Sequence, residues 1–184
     1  MNCIQSLNGI ALDCNGSLGG IKEVFIAPYH NVASVETSAI ESENERIVSI
    51  SMVDEEKFHK FEFRRNTANM TSTLNVDPAN GTSVSTDLVM SFLRQEATKR
   101  LEIAALSIGE LAVIVRDAND TYWYLGLDFP VMASAGTGET GTAFTDGNRY
   151  NITLQDNAKS WPHEIKVAPE TSGDTNYVNL NEIT

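Results

Sequence analysis

The segment from Phe58 to Leu93 constrains the fold most, because polar and apolar residues alternate along it for longer than one ordinary strand extends. An unbroken arm from Phe61 to Val76 would be on the order of 50 Å long at about 3.3 Å per residue. Within this segment, Pro78 presets one backbone torsion of a turn, and the pair Asn80-Gly81 tolerates left-handed backbone geometry. Both features predict a hairpin connection. The connection consists of Asp77, Pro78, Ala79, Asn80 and Gly81. The sequence therefore predicts a long β-hairpin over 58–93.

The alternation gives this hairpin one polar and one apolar face, since successive side chains of a strand point in opposite directions. We expect the polar file to face water, although a shift of one residue would exchange the two faces. The polar file contains Asn69, Thr71, Thr73, Asn75, Ser83, Ser85 and Asp87. The apolar file, for which we expect sheet contacts between copies of the chain, includes Met70, Leu74, Leu88, Met90 and Phe92.

Positive charge is missing from the hairpin, because no Lys or Arg lies between Arg65 and Arg94. Natural sheet edges are commonly protected by Lys against unwanted strand pairing. Two isolated strands are also only marginally stable in water. We therefore expect the edges of this hairpin to be paired, by neighbours that other copies of the chain supply. A local accident of composition in an acidic protein is the alternative explanation.

The overall charge excludes some classes of partner. The formal net charge is -12 and the sequence pI is near 4.6. Simple nucleic-acid binding is disfavoured, since affinity for phosphates comes mainly from Lys and Arg. The sequence contains no apolar stretch of about 20 residues and begins without a signal-peptide pattern, so we expect a cytoplasmic chain without membrane binding. In that compartment Cys3 and Cys14 are expected to be thiols rather than a disulfide.

No constellation in the sequence indicates catalysis, a metal or a cofactor. The three histidines, His30, His59 and His163, are scattered without ligand spacing. The acidic run 54–56 is typical of a solvated turn, because consecutive carboxylates point in different directions. The glycines of GTGETG (136–141) precede a strand rather than a helix, which indicates a loop and not a phosphate site. We therefore predict a protein that is not an enzyme.

The remaining elements complete a mainly β chain. A period of 3.6 predicts one helix over 94–108, with an apolar stripe of Ala97, Leu101, Ala104, Ala105 and Ile108 packed on a sheet. The apolar run Glu110–Val115 predicts a strand covered on both faces. A second hairpin is predicted over 129–155. The expected fold is an antiparallel β-sandwich or barrel with one flanking α-helix and long β-hairpins, divided into an N-terminal arm (1–18), a β domain (19–156) and a C-terminal extension (157–184).

The order of these elements resembles the tail tube proteins of tailed bacteriophages. The resemblance covers roughly Gly19 to Gln155 and depends on element order: a strand ending in IAPY, the long polar-faced hairpin, the helix, the strand VIVRD with its turn to YWYLG, and the second hairpin. None of these motifs is diagnostic alone. The resemblance implies rings of six copies that stack into a hollow tube within the virion.

In such a tube the long strands of each copy would join into one inner barrel, and closure would remove the open edges. DNA would pass through without specific binding, and the polar file would face the lumen. The resemblance also implies partners among the other tail proteins: the terminator, the tape-measure protein and the baseplate.

Two other functions remain open from the sequence. One is another ring component of a phage, such as a tail terminator, a connector or a baseplate ring. The other is a β-sandwich carbohydrate-binding module, in which Tyr122, Trp123, Tyr124 and Trp161 would stack on sugars. Self-polymerisation into long filaments would distinguish a tube protein from both.

Overall fold

Two antiparallel β-sheets pack against each other in the computed structural model, which describes residue 10 and residues 16–40, 45–79, 81–143, 145–167 and 178–184. The first sheet has the strand order β11-β8-β7-β1-β4, and the second has the order β5-β6-β10-β9. The first comprises β1 (Ile21–Pro28), β4 (His59–Glu62), β7 (Leu111–Asp117), β8 (Tyr122–Leu125) and β11 (His163–Glu164). The second comprises β5 (Ala68–Asp77), β6 (Gly81–Leu93), β9 (Met132–Glu139) and β10 (Arg149–Ala158). This architecture confirms the predicted mainly β, antiparallel sandwich.

Smaller elements flank the two sheets. Strands β2 (Val32–Thr37) and β3 (Ile47–Met52) form a separate pair, and a 3₁₀ turn (Tyr29–Asn31) joins β1 to β2. Helix α1 (Ala97–Ile108) lies between β6 and β7, and a short helix α2 (Leu180–Ile183) lies near the end of the chain. Helix α1 is thus the single flanking helix of the predicted fold among the described residues.

The first sheet is buried on both faces. Val113 and Val115 enter a core shared with the second sheet, whereas Ala112 and Ile114 enter a core on the opposite side. All four side chains are 0 % exposed. The apolar run that lacks alternation therefore forms the doubly covered strand that the sequence predicts.

The C-terminal segment belongs to the second of these cores. Ile165, Val178 and Ile183 are buried there beside Phe58 and Ile47. The residues of the predicted C-terminal extension that the structure describes therefore pack on their own chain. At the other end, Asn119 accepts a hydrogen bond from the Leu18 N–H (2.8 Å) and donates one to its carbonyl (3.0 Å). Cys3 and Cys14 lie outside the described residues.

The long hairpin is shorter than predicted. Residues Phe58 to Glu62 do not extend the hairpin, because β4 pairs with β1 in the first sheet. A turn at Arg64–Thr67, with Asn66 at φ 63°, separates β4 from β5. Phe63 packs its ring 5.2 Å from that of Phe92, and this aromatic contact holds the chain in the sandwich. The paired ribbon consists of β5 and β6 alone.

Helix α1 packs by a different face from the one predicted. Leu106 is buried and Ile103 is partly buried against the core, but Leu101 and Ile108 are 60 % and 88 % exposed. The alanines of the predicted stripe are also exposed. The two large side chains, three residues apart, make the contact with the sandwich, so the alanine-rich stripe points outward.

This packing predicts unequal effects for two leucine substitutions in α1. Leu106→Ala should lower the free energy of unfolding by about 2–4 kcal/mol, because it opens a cavity in the core. Leu101→Ala, the matched control, should change it by less than about 0.5 kcal/mol, since Leu101 is exposed. Urea unfolding of both variants measures the difference. The reverse order would show that the alanine-rich stripe faces the core.

Candidate functional site: a polar sheet face

The outer face of the second sheet carries the residues that the sequence predicts to face a lumen. Asn69, Thr71, Thr73 and Asn75 on β5 are exposed, as is Ser83 on β6, whereas Ser85 and Asp87 on β6 are half-buried. Antiparallel pairing sets Thr71 opposite Asp87, Thr73 opposite Ser85, and Asn75 opposite Ser83. The structure therefore brings all seven residues together on one face.

Strand β10 widens this polar face, although its residues are not among those that the sequence predicts to face a lumen. Asn151, Thr153, Gln155 and Asn157 alternate with inward-facing residues, and β10 pairs with β6 along its whole length. Gln155 lies opposite Asp87, and Asn157 lies opposite Ser85. The polar alternation from 149 to 157 is the sequence signal that could have predicted this. We refer to the outward residues of β5, β6, β9 and β10 as the polar face.

Hydrogen bonds between strands order the polar face. The Gln155 amide donates to Asp87 Oδ1 at 2.9 Å. The Ser91 hydroxyl donates to Asn151 Oδ1, and the Asn151 amide in turn donates to the Thr137 hydroxyl at 3.2 Å. These bonds connect β6, β10 and β9. The polar face is thus a surface mainly of hydroxyl and amide groups, interrupted by Val89 and Met132, whose positions are set by neighbouring strands.

The polar face is almost free of positive charge. Strands β5, β6 and β9 contain no Lys or Arg. Arg149, at one end of β10, forms an ion pair with Glu139, and this contact lowers the pKa of the Glu139 carboxyl. Besides this ion pair, the outward side of the four strands carries two charged residues, Asp87 on β6 and Asp77 at the end of β5. The polar face is consequently neutral to weakly acidic.

Both edges of this sheet are unpaired among the described residues. Strand β5 pairs only with β6, and β9 pairs only with β10. Neither edge strand carries the Lys that commonly blocks pairing with another chain. A Cβ at Gly138 would lie 3.2 Å from the Tyr150 ring, so a larger residue there would have to displace that side chain. The sheet therefore ends on each side in a strand, β5 or β9, that has no further strand partner among the described residues, and helix α1 lies beside β9.

The structure corrects the predicted contacts between copies. Leu88 and Met90 are 0 % exposed in the core of their own chain, and Met70 and Phe92 pack against that core. Of the five predicted residues, only Leu74 is substantially exposed, at 48 %. The reason is that the apolar file of the ribbon covers the first sheet of the same molecule.

A buried carboxylate links the two sheets on the opposite side of β10. Asp156 is 3 % exposed, and its Oδ2 accepts a hydrogen bond from the Gly126 N–H at 3.2 Å. Its Oδ1 has no partner among the described residues. Burial raises the pKa of the Asp156 carboxyl. Gly126 has φ 94°, and a Cβ added there would lie 3.2 Å from the Leu111 carbonyl oxygen, so a larger residue at this position would be strained.

The other candidate groups do not converge on a site. Within the described part of the chain, no group of three or more His, Asp or Glu side chains could hold a metal ion. Glu56 of the acidic run accepts a hydrogen bond from Asn31. Of the four aromatic residues considered for sugar stacking, Tyr124 is buried, and Tyr122 and Trp123 contact Arg116 and Asp117. Only Trp161 is strongly exposed, so these rings do not form one platform.

Comparisons with known proteins add no assignment. No protein-family model matches the chain, and neither a curated protein nor a solved structure matches it significantly. No helix in the described ranges combines the length and the apolar character needed to span a membrane. The polar face and the edge strands of its sheet are therefore the features of the molecule that bear on its function.

The buried Asp156 predicts a specific dependence of stability on pH. Its raised pKa means that the folded state binds this proton more tightly than the unfolded state, so its contribution to stability decreases as the pH rises above about 3.9. As the pH rises from acidic to neutral, the free energy of unfolding of the wild type should therefore fall relative to that of the Asp156→Asn variant, which has no carboxyl group to ionise at this position. Denaturant melts of both proteins across that range measure it. Parallel profiles would contradict the prediction.

Proposed function

We propose that this chain is the structural subunit of a phage tail tube, in which copies join into closed rings, the rings stack, and the polar face lines a conduit for DNA. The observation that supports this most is the second sheet. It combines a polar face, whose one described Arg forms an ion pair with Glu139, with two edge strands, β5 and β9, that have no further strand partner among the described residues. The proposal accords with the resemblance in element order.

The strand directions favour closure into a ring. Consecutive strands of the order β5-β6-β10-β9 are all antiparallel, so β9 runs opposite to β5. Rotation about a ring axis leaves the direction of each strand relative to that axis unchanged, so equivalent strands of neighbouring copies run the same way. The β9 edge of one copy would therefore meet the β5 edge of the next in antiparallel orientation. Repetition of this joint closes the sheet into a barrel and leaves no edge unpaired.

The size of such a barrel suits a conduit. Six copies, the number that the resemblance implies, would contribute 24 strands from their four-stranded sheets. With strands about 4.8 Å apart and tilted by about 35–45°, the barrel would measure about 45–50 Å between opposite backbones. Barrels of 16–18 strands already enclose an aqueous channel. The core of each copy would lie outside this wall, and the polar face would lie inside.

The chemistry of the polar face suits passage rather than binding. DNA carries about one negative charge per 1.7 Å of its axis, and proteins retain it by neutralising phosphates with Lys and Arg. The described polar face presents hydroxyl and amide groups, and its one Arg is paired with Glu139. DNA would therefore move along it without being held. The terminator, the tape-measure protein and the baseplate are the partners that this function entails.

Electron microscopy of the purified protein tests the function directly. Negative staining should show closed rings and stacks of rings that lengthen with protein concentration. Single rings that never stack would instead favour a terminator, a connector or a baseplate ring. A monomer that stays monodisperse at high concentration and binds glycans on an array would overturn the proposal in favour of a carbohydrate-binding module.

Positive charge placed on the polar face should make the tube retain DNA. The variant Thr71→Lys/Asp87→Lys is expected to fold and assemble, because both side chains point outward, and its tubes should retain linear DNA in a nuclease-protected, salt-sensitive form. The control Leu101→Lys/Glu102→Lys makes the same change of charge on the exposed side of α1. Its tubes should not protect DNA. Equal protection by both variants, or by neither, would contradict the lumen assignment.

A further inference from the structure

A hollow opens between helix α1 and the edge of the first sheet. Its volume is about 410 Å³, and its walls come from the end of β1, from β4, from the C-terminal half of α1 and from the start of β7. Its apolar lining includes Ile26, Pro28, Phe61, Leu106 and Leu111. Sites for small molecules usually measure about 300–1,000 Å³ and are lined mainly by apolar side chains, so this hollow has the size and surface of such a site. We call it the α1 hollow.

The charged residues that line the α1 hollow are acidic. Glu102 and Glu110 line it, and both are exposed. Neither carboxylate forms an ion pair within the described part of the chain. The lining also includes His30 and His59, and it contains no Lys or Arg. The hollow therefore combines an apolar wall with two carboxylates that no cation of the described chain neutralises.

The C-terminal end of α1 adds to this negative potential. The helix ends at Ile108, and both Leu106 and Gly109 line the hollow. The last carbonyls of a helix carry a partial negative charge, equivalent to roughly half an elementary charge. Lys, Arg or His in the last turn commonly offsets it, but the last turn of α1 contains no basic residue. Glu110 follows the helix instead, so negative groups meet here without a compensating cation.

Backbone hydrogen bonds fix the chain at this end of the helix. The Gly109 N–H donates to the Ala105 carbonyl at 3.1 Å, and the Tyr29 N–H donates to the Glu110 carbonyl at 2.8 Å. A Cβ at Gly109 would lie 3.1 Å from the Ala105 carbonyl oxygen, so the passage from α1 to β7 is tight. The hollow is thus formed by the folded chain itself, and a ligand would not have to order it first.

We propose that the α1 hollow binds a small organic amine. The apolar body of the ligand packs against Phe61 and Leu106, and its ammonium group lies near Glu102 and Glu110. The positive charge relieves the repulsion between the two carboxylates and the helix end, and burial of the body removes apolar surface from water. The site goes beyond the proposed tube and does not depend on it, because all the residues that line the hollow come from one molecule.

Equilibrium dialysis of the full chain against 2-phenylethylamine tests the site, since this measurement is insensitive to the assembly state. At neutral pH and physiological ionic strength, the amine should bind saturably, with one molecule per chain. It should bind at least about fivefold more tightly than 2-phenylethanol, which lacks the charge, and than methylamine, which lacks the apolar body. Equal binding of the amine and the alcohol, or of the two amines, would overturn the proposal.

Removal of the two carboxylates tests the assigned charges. Glu102→Gln/Glu110→Gln should weaken binding of 2-phenylethylamine at least about fivefold. The control Glu36→Gln/Glu45→Gln removes two exposed carboxylates that do not line the hollow, and it should bind as the wild type does. Equal weakening by both double variants would indicate attraction of cations to an acidic protein in general, and would overturn the site.

Two alanines of α1 provide a matched test of the hollow itself. Ala105 lines the hollow and is exposed, so Ala105→Trp should fold normally, fill the hollow and abolish binding. Ala104 is also exposed but does not line the hollow, so Ala104→Trp should keep wild-type affinity. Wild-type affinity in Ala105→Trp, or a wild type without saturable amine binding, would overturn the inference. Neither result bears on ring formation, which electron microscopy judges separately.

Discussion

The two-residue period of the β5–β6 ribbon is the constraint on which the rest of the structure depends. Burial of Leu88 and Met90 against the first sheet fixes which file of the ribbon points inward. A slip of one residue would expose this apolar file and bury hydroxyls and amides, at the cost of unmade hydrogen bonds. Core packing within one molecule therefore determines the chemistry of the surface on its other side. The polar face is a consequence of the hydrophobic core.

Strand β10 extends the same division into an inward apolar and an outward polar side across the second sheet. Its inward Ile152 and Leu154 join the same core, and its outward amides bond to β6 and β9. Asp156 connects β10 to the first sheet through Gly126, and its buried Oδ1 has no hydrogen-bond partner among the described residues. The result is a hydrogen-bonded sheet whose edge strands, β5 and β9, have no further strand partner among the described residues. In the proposed tube, such a sheet would join copies of itself without refolding.

Local periodicity in the sequence was sufficient to predict the sandwich class, the doubly buried β7 and the seven polar-face residues. Contacts between distant segments decided the rest. The contact of Phe63 with Phe92 and the positive φ of Asn66 end the ribbon before β4, and neither follows from alternation. Helix α1 presents two apolar stripes, and only the shape of the core selects Leu106 over Leu101. A hollow lined by Phe63, Phe92 and Lys99 is formed by three separate segments of the chain and has no signature in the sequence.

Amide hydrogen exchange of the edge strands measures the central claim most directly. Strand β6 has partners on both sides within one molecule and should exchange slowly at every concentration. Strands β5 and β9 have outward backbone N–H groups that should exchange quickly in the dissociated protein and become protected on assembly. Protection that appears on both edges together, with β6 unchanged, is the predicted result. Edges that stay unprotected in assembled protein would contradict a barrel closed through this sheet.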